Sequence, residues 1–355
     1  VTLELKGVVK RVGAETHIYE TNLALAENGF NILLGTTLAG KTTLMQLMAG
    51  LERPSAGEVW FDGKNVTGVP VQKRNVAMVY QQFINYPNYT VFENIASPLR
   101  VAGLKPAEIQ ARVHRMAELL RLTPMLARRP AELSGGQQQR TALARALVKD
   151  AALVLLDEPL ANLDFKLREE LRDELPKLFA GRRCTVVFAT SEPTEALLLG
   201  GHTAALHEGR VTQFGPTATV YRRPANLLTA RVFSNPPINT ATVTKQGERI
   251  VLSDTVQWSA DGVMRNHPDG AYTVAIRPHH IKPLADGAAA APLDGKVLVA
   301  ELSGSESVIH FAHGPLTWVS QSHGVRAIEV GATTRFHLDI GQCMYFGPDG
   351  TLVAP

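Results

Sequence analysis

Two glycines, a lysine and a run of threonines stand at fixed spacing in Gly35-Thr36-Thr37-Leu38-Ala39-Gly40-Lys41-Thr42-Thr43, a match to G-x-x-x-x-G-K-S/T. Glycines at these points let backbone N–H groups curl around phosphate oxygens, and the helix that follows adds partial positive charge at its start. Lys41 is then placed to reach the β- and γ-phosphates of a nucleotide, and Thr42 to ligate Mg2+. The plain alternative, a chance match at a strand-to-helix turn, loses weight because an apolar run precedes the loop and a helical pattern follows it. A second chemical feature is the pair Asp157-Glu158, which ends the apolar run 153–156. Carboxylates delivered at the C-terminal edge of a buried strand lie where open α/β sheets bind ligands. Asp157 is suited to hold Mg2+ and Glu158 to polarise an attacking water. Alone, such a pair is no more than two exposed acids at a strand end. The third feature is Leu133-Ser134-Gly135-Gly136-Gln137-Gln138-Gln139-Arg140, where a serine and two glycines open a helix over 137–148 and make a second anion site.

With that string in place the sequence resembles the ATP-binding cassette family, whose signature motif it matches, and the resemblance covers nearly the whole chain. Order and spacing agree: phosphate loop, then Gln81 after a strand over 76–80, then signature, acid pair, and Ala161-Asn162-Leu163-Asp164. The resemblance implies that Gln81 serves both metal and water, and that Ser134, Gly135, Gly136, Gln137 and Asp164 belong to the nucleotide-contacting set. It further implies a head-to-tail dimer with ATP held between one subunit's phosphate loop and the other's signature. The segment 83–95, with Tyr86, Tyr89 and Phe92, looks like the part of the family that docks two transmembrane permease subunits fed by a periplasmic or extracellular solute-binding protein. Arg277-Pro278-His279-His280-Ile281 resembles a motif of the C-terminal domain in the carbohydrate and polyol importer branch, and 190–201 looks most like bacterial glycerol importers that use two unlike ATPases.

Three positions depart from the family pattern. Aligned on Glu195-Ala196, Ser191 stands where the family has a histidine that contacts the γ-phosphate. Loss of one such donor typically costs on the order of 10^2 to 10^3 in rate. Ser191 is also expected to cap the helix whose first turn holds Pro193. The serine of the 161–164 loop is Ala161, and Val12 occupies the place of an aromatic that stacks on adenine, with His17 or Tyr19 as substitutes. Together these point to an ATPase paired with a second, unlike ATPase subunit, the alternative being a homodimer that leaves both sites without the histidine. The alternative is an ATP-binding, weakly catalytic regulatory subunit. A soluble cassette of DNA repair or translation fits poorly with the aromatic docking segment.

These residues need a frame that brings them to one edge. Short β-branched runs alternating with helical ones up to about residue 233 predict an α/β sheet with crossover helices. Strands are expected over 30–34, 153–156 and 185–188, and a helix over 41–51 closed by Pro54. Ahead of the strand at 153–156 lies a mostly helical insert, about 85–150, whose clearest helix starts at Pro106 and carries Ile109, Val113, Met116, Leu119 and Leu120 on one face. After Asn235-Pro236-Pro237 short strands separated by turns predict a second domain, an all-β, OB-like regulatory barrel over 236–355. Its strands are expected over 249–252, 272–276, 297–302, 307–311 and 334–340. The alanine-rich patch 288–291 reads as a loop. His279 and His280, adjacent at a strand end, are expected to point apart and face solvent, and no metal is assigned to the C-terminal half.

Composition sets the outer bounds. The 355 residues hold 36 Lys+Arg and 33 Asp+Glu, with 45% hydrophobic residues, as in a core-forming protein. Residues 1–235 carry 28 basic and 22 acidic groups against 8 and 11 in 236–355, without a basic tract, which argues for a small anionic ligand and against nucleic acid. Cys184 and Cys343 are too far apart in sequence to form a C-x-x-C motif, so neither a disulfide framework nor a zinc site is expected. No apolar run approaches the ~18 residues of a bilayer span, so the expected location is peripheral, at the cytoplasmic face of the inner membrane.

Overall fold

The computed structural model describes residues 2–161, 163–181, 183–283, 290–326 and 328–354. They form two compact units, Val1–Ala218 and Thr219–Pro355.

In the first unit, ten strands and six helices follow in chain order among the described residues: β1 (Leu3–Val12), β2 (Glu15–Ala24), β3 (Phe30–Leu34), α1 (Lys41–Ala49), β4 (Ala56–Phe61), β5 (Lys64–Asn65), β6 (Val76–Val79), α2 (Val91–Val101), α3 (Pro106–Leu119), α4 (Gly135–Leu147), β7 (Leu153–Asp157), α5 (Phe165–Phe179), β8 (Thr185–Thr190), α6 (Pro193–Leu199), β9 (His202–His207) and β10 (Arg210–Pro216). The central sheet runs β10-β9-β3-β8-β7-β6, with β9, β3, β8, β7 and β6 parallel. Its strands are apolar along their length because helices cover both faces, which is why they read as runs without alternation. Leu33, Leu155 and Val187 of the sheet pack with Leu44, Met45, Leu47 and Met48 of α1 in one buried cluster. A smaller antiparallel sheet, β2-β1-β4-β5, adds Leu3, Leu5, Val8 and Ile18 to the same core.

Helix α1 stops at Ala49, short of the expected end. Gly50 takes φ 80° and donates its N–H to the carbonyls of Gln46 and Leu47, so a left-handed glycine ends the helix before Pro54 is reached. The insert lies between the neighbouring strands β6 and β7. In α3, Ile109, Val113 and Met116 are buried and Leu120 follows them, while Leu119 is only half-buried.

The second unit holds α7 (Thr217–Arg222), which straddles the boundary, α8 (Leu227–Val232), β11 (Asn239–Gln246), β12 (Arg249–Ser253), β13 (Val256–Ser259), β14 (Gly270–Ile276), β15 (Ile281–Lys282), β16 (Ala290–Leu302), β17 (Glu306–His313), β18 (Leu316–His323), β19 (Thr333–Asp339), β20 (Met344–Phe346) and β21 (Leu352–Ala354). They make sheets β13-β12-β11-β14-β20-β21 and β15-β19-β16-β17-β18. Both sheets contribute to one core, with Ile250, Trp258 and Val274 meeting Phe311, Trp318 and Phe336. Phe311 and Phe336 stack with centroids 3.9 Å apart. The unit boundary falls earlier than residue 235 because α8 belongs to the β-rich unit. Leu227 N–H donates to Gly350 O (2.9 Å), Leu352 N–H to Ala225 O (3.0 Å), and Ala230 is buried against Phe346.

Two further expectations fail here. Ala290 and Ala291 open β16 instead of lying in a loop, paired with Asp339 and Leu338 of β19, while residues 288 and 289 lie outside the described residues. His279 and His280 do not point apart: they sit in a 3-10 turn, Pro278–His280, with ring centroids 4.2 Å from each other. The turn, unlike a strand, does not alternate its side chains. The preceding Arg277 is a structural anchor, buried, donating to Tyr221 O at 2.7 Å and lying 3.8 Å over the Tyr221 ring.

Candidate nucleotide site

Parallel order places β3, β6, β7 and β8 so that their C-terminal ends meet the same sheet edge. Strand β3 delivers Gly35, β7 delivers Asp157-Glu158, β8 delivers Ser191 and β6 leads to Gln81. Register puts Leu34 beside Thr190 and Asp157 beside Ala189, so Ser191 emerges between the phosphate loop and the acid pair.

The loop is shaped to hold an anion. A Cβ on Gly35 would lie 2.7 Å from Leu206 O and 2.8 Å from the Ala39 methyl, so only glycine fits there. Gly40 takes φ 98° and begins α1 without a side-chain cap. As a result the N–H groups of Thr37, Leu38, Gly40, Lys41, Thr42 and Thr43 meet no acceptor among the described residues. Leu38 is anomalous, with φ 66° and 95% exposure for a large apolar side chain.

Lys41 is 5% exposed and fully engaged. Its Nζ donates to Gly35 O (2.7 Å) and Thr36 O (3.0 Å) and lies 3.2 Å from Glu158 Oε1. Gln81 Nε2 donates to the other oxygen, Glu158 Oε2, at 3.2 Å. Glu158 itself has φ 46°, fixed by its N–H donating to Ala189 O. Asp157 is buried, and Thr42 Oγ1 donates to its Oδ2 at 2.7 Å. Burial pushes the Asp157 carboxyl above its usual range, and the Thr42 hydrogen bond opposes that only in part. A divalent cation at this pair would supply the missing charge compensation, so the donor set fits Mg2+.

Ser134 and its neighbours are brought to a helix start but not into this cluster of bonds. Helix α4 begins at Gly135, so both glycines lie in its first turn. Ser134 Oγ accepts from Gln137 N (3.4 Å) while Gln137 Oε1 accepts from Ser134 N (3.0 Å). Asp164 is likewise committed to a helix, its Oδ1 accepting from Leu167 N as the cap of α5. Ala161 is exposed, and Asn162 lies outside the described residues.

One expectation is corrected. Ser191 caps nothing: Glu192 is at the cap position of α6, and Thr190 Oγ1 accepts from Glu192 N (3.0 Å) while donating to Glu195 Oε2 (2.6 Å). Thr190, the last residue of β8, takes the Glu192 N–H instead. The first hairpin meets the phosphate loop at His17 and Ile18, whose O and Cδ1 would lie 3.4 and 2.9 Å from a Cβ on Gly40. Val12 is exposed near the hairpin turn, paired with Glu15, and Tyr19 is covered by the Arg210 guanidinium at 3.6 Å.

Some supporting residues escaped the sequence reading. Asn94, fully buried in α2, accepts from Tyr86 N and donates to Tyr86 O and Tyr89 O, clamping the exposed aromatic segment. Arg145 adds a bond to Ile84 O at 2.6 Å. Gln139 Nε2 donates to Pro159 O, tying α4 to the chain that follows Glu158. An amide or carboxylate on the buried face of an amphipathic helix, as at Asn94 and Glu195, was the available signal.

Comparison with known proteins agrees with this geometry. Residues 19–161 match the ABC transporter family and 274–346 the TOBE domain. The chain is 33% identical over 350 residues to the uncharacterized ABC transporter ATP-binding protein YcjV of Escherichia coli O6:K15:H31, covering 97% of each chain. It is 33% identical over 353 residues to the sn-glycerol-3-phosphate import ATP-binding protein UgpC of Yersinia pestis, covering 99% of this chain and 98% of the relative. Among solved structures, the dimeric ATP-binding cassette MJ0796 bound to ADP and Pi aligns at TM-score 0.56 and 29% identity, over 61% of this chain and 98% of that one. Near-full-length identity, the occupied order of motifs and the two-unit architecture agree, and the chain belongs to the ABC transporter ATP-binding proteins that carry a C-terminal TOBE domain.

Proposed function

We propose that this chain is the ATP-hydrolysing, energy-coupling subunit of an importer for a sugar, glycerol or related polyol, working beside a second, unlike ATPase. The observation that carries the reading is the bonded set Lys41, Glu158 and Gln81 at the end of the phosphate loop, with Ser191 emerging beside it. The UgpC relative supports the direction of transport and the solute class.

Thr42 and Asp157 would hold Mg2+, which supplies positive charge to the phosphate oxygens. Lys41 Nζ lies beside Glu158 Oε1. A polyphosphate chain offers Lys41 a more highly charged acceptor, which frees the Glu158 carboxylate to accept a proton from water as the water oxygen attacks the γ-phosphorus. Gln81, already within hydrogen-bonding distance of Glu158, orients that water. The bond from phosphorus to the β-bridging oxygen breaks, giving ADP and phosphate. Ser134, Gly135 and Gly136 face a nucleotide held by the partner ATPase, and Ser191 is too short to make the contact a histidine would make. The clamped segment around Tyr86 and Tyr89 docks the permease pair. No described helix is long and apolar enough to cross a membrane, so attachment to the cytoplasmic face goes through those partners, with an extracytoplasmic binding protein delivering solute.

Copurification with its co-expressed permease subunits tests the assembly: a second, different ATPase subunit is expected in the complex, and a complex with two copies of this chain overturns the heterodimer. Brisk hydrolysis by the chain alone, unchanged by Ser191→Ala and abolished by Glu158→Gln, overturns the weakened site. Glu158→Gln in this chain leaving transport intact favours the regulatory subunit instead.

A further inference from the structure

Glu195 is buried on α6, a carboxylate where an apolar side chain would avoid the cost of taking a charge out of water. Neither the grip on the phosphates nor the attack of water beside Glu158 uses it. Burial pushes its carboxyl above the usual range; the Thr190 hydrogen bond and the charges of Arg168 and Arg172 on α5 oppose that rise, and Glu192 adds to it.

The partner of this carboxylate is Thr190, the last residue of β8. Thr190 Oγ1 donates to Glu195 Oε2 at 2.6 Å, which commits its proton, and the same oxygen accepts from Glu192 N at 3.0 Å. The hydroxyl is locked from both sides. The backbone at that point carries the two halves of the site. Thr190 O accepts from Gly35 N (3.3 Å), where the phosphate loop begins, and Ala189 O accepts from Glu158 N (3.1 Å). Two successive carbonyls of one strand thus hold the loop and the acid, and Ser191 follows directly. The far side of Glu158 is tied to α5 as well: Arg168 donates to Ala161 O at 3.0 Å, and Ala161 N to Glu158 O at 3.3 Å.

We propose that Glu195 is a positioning residue: through its bond to Thr190 it fixes the end of β8, and with it the separation between the phosphate loop at Gly35 and the carboxylate of Glu158. This role rests on the hydrolysis proposed above. The nucleotide itself would be gripped by the loop N–H groups beyond Gly35 and by Lys41, whose bonds do not pass through Thr190. Losing the Glu195 bond therefore leaves the nucleotide held but lets loop and acid drift apart, and a misplacement of about 1 Å between reacting groups costs on the order of 10^2 in rate. A carboxylate that served only to start α6 would behave otherwise: its loss would lower stability without moving Gly35 or Glu158.

Single-turnover hydrolysis of ATP with Mg2+ by the full chain, affinity for a fluorescent nucleotide, and the backbone amide signals of Gly35 and Glu158 by NMR are measured on the parent, Thr190→Val, Glu195→Ala and Glu195→Gln. Valine keeps the shape of threonine, so Thr190→Val carries the test even where Glu195→Ala fails to fold, and amide dispersion shows which proteins are folded. Thr190→Val and Glu195→Ala are each expected to slow hydrolysis about tenfold, with nucleotide affinity within about twofold of the parent, and to displace both amide signals. Joined in one chain they are expected to cost no more than the worse of the two, since both cut the same bond. Glu195→Gln, which keeps an oxygen for the Thr190 hydroxyl, is expected to restore the rate to within about threefold of the parent. The proposal is overturned if folded Thr190→Val leaves the rate and both amide signals as in the parent, or if Glu195→Gln is as slow as Glu195→Ala. A parent that hydrolyses no ATP overturns the proposed function instead, and the amide signals still decide on Glu195: their displacement in Thr190→Val supports its hold on loop and acid, and unmoved signals overturn it.

Discussion

Helix α1 begins at Gly40 with no side chain over its end, while α4, in the same unit, begins at Ser134 with a closed capping box. Both are helix starts rich in glycine and both were read from sequence as anion sites, but they are prepared differently. At α1 the donors are backbone N–H groups left open, and the charge comes from Lys41 and from carboxylates on the same sheet edge. At α4 the hydroxyl oxygen and one N–H satisfy each other, leaving the serine O–H and the N–H groups of Gly135 and Gly136 to face outward. A hydroxyl that accepts at a cap still has its proton to donate. On the function proposed above, the difference is a division of labour: the first start would cradle the nucleotide of its own chain, whereas the second, with no metal ligand or base of its own, would press against a nucleotide held elsewhere.

The largest expected effects break the cradle. Glu158→Gln is expected to lower hydrolysis about 10^3-fold with nucleotide binding retained, since Lys41 and the loop amides remain. Lys41→Ala is expected to lose binding as well, because it leaves Glu158 and Asp157 facing the phosphates without a cation. Fluorescent-nucleotide binding and phosphate release measured on both proteins separate the two; equal loss of binding in both would mean that Glu158 helps to shape the loop through its bond to Lys41.

A smaller effect in the opposite direction is expected at the same edge. Ser191→His restores a donor between loop and acid pair, and hydrolysis by the chain is expected to rise by up to about 10^2-fold. No change would show that the cradle is not limited by this contact.

Substitution at α4 tests the plate. Ser134→Ala removes both the cap and the outward donor, at a cost of about 1 kcal/mol in stability and an expected fall of about tenfold in hydrolysis by the assembled complex. Ser134→Asp keeps the cap and adds a negative charge, so stability is expected to hold while hydrolysis falls further. Nucleotide binding by the isolated chain is expected to be untouched in both. If either substitution weakens it, α4 contributes to the cradle of its own chain and the division of labour is wrong.

Much of this was legible before the structure because the chemistry needs contiguous residues. Gly35 to Thr43, Asp157-Glu158 and Ser134 to Gln137 each lie in one short string, and the parallel run of β3, β8, β7 and β6 forces these strands to end at one edge. The α/β then all-β organisation follows from a change in periodicity. What could not be read are choices made by residues distant in sequence. Whether Val12 or His17 lies at the loop depends on the twist and register of a hairpin with several shifts. Whether Thr190 or Ser191 serves α6 depends on one more residue of strand. Gly50 preceded Pro54 as a stop because a left-handed C-cap ends a helix wherever its hydrogen bonds close. The second unit begins before residue 235 because pairing of 225–227 with 350–352 spans more than a hundred residues.

The smallest effect tests whether the open N–H donors of the loop depend on the Leu38 side chain. Leu38 holds φ 66°, a conformation that costs a side-chain-bearing residue roughly 1 kcal/mol, and at 95% exposure its side chain recovers none of that by packing in this chain. Glycine adopts the same φ without the clash, at the cost of greater freedom in the unfolded chain, roughly 0.5 kcal/mol or more. Leu38→Gly is therefore expected to change the stability of the isolated chain by less than about 1 kcal/mol, toward greater stability in chemical denaturation, and to leave nucleotide affinity unchanged because the N–H it presents is retained. If affinity falls instead, the leucine side chain holds the loop open for the phosphates, and the cradle of α1 rests on a side chain after all, as α4 does on Ser134.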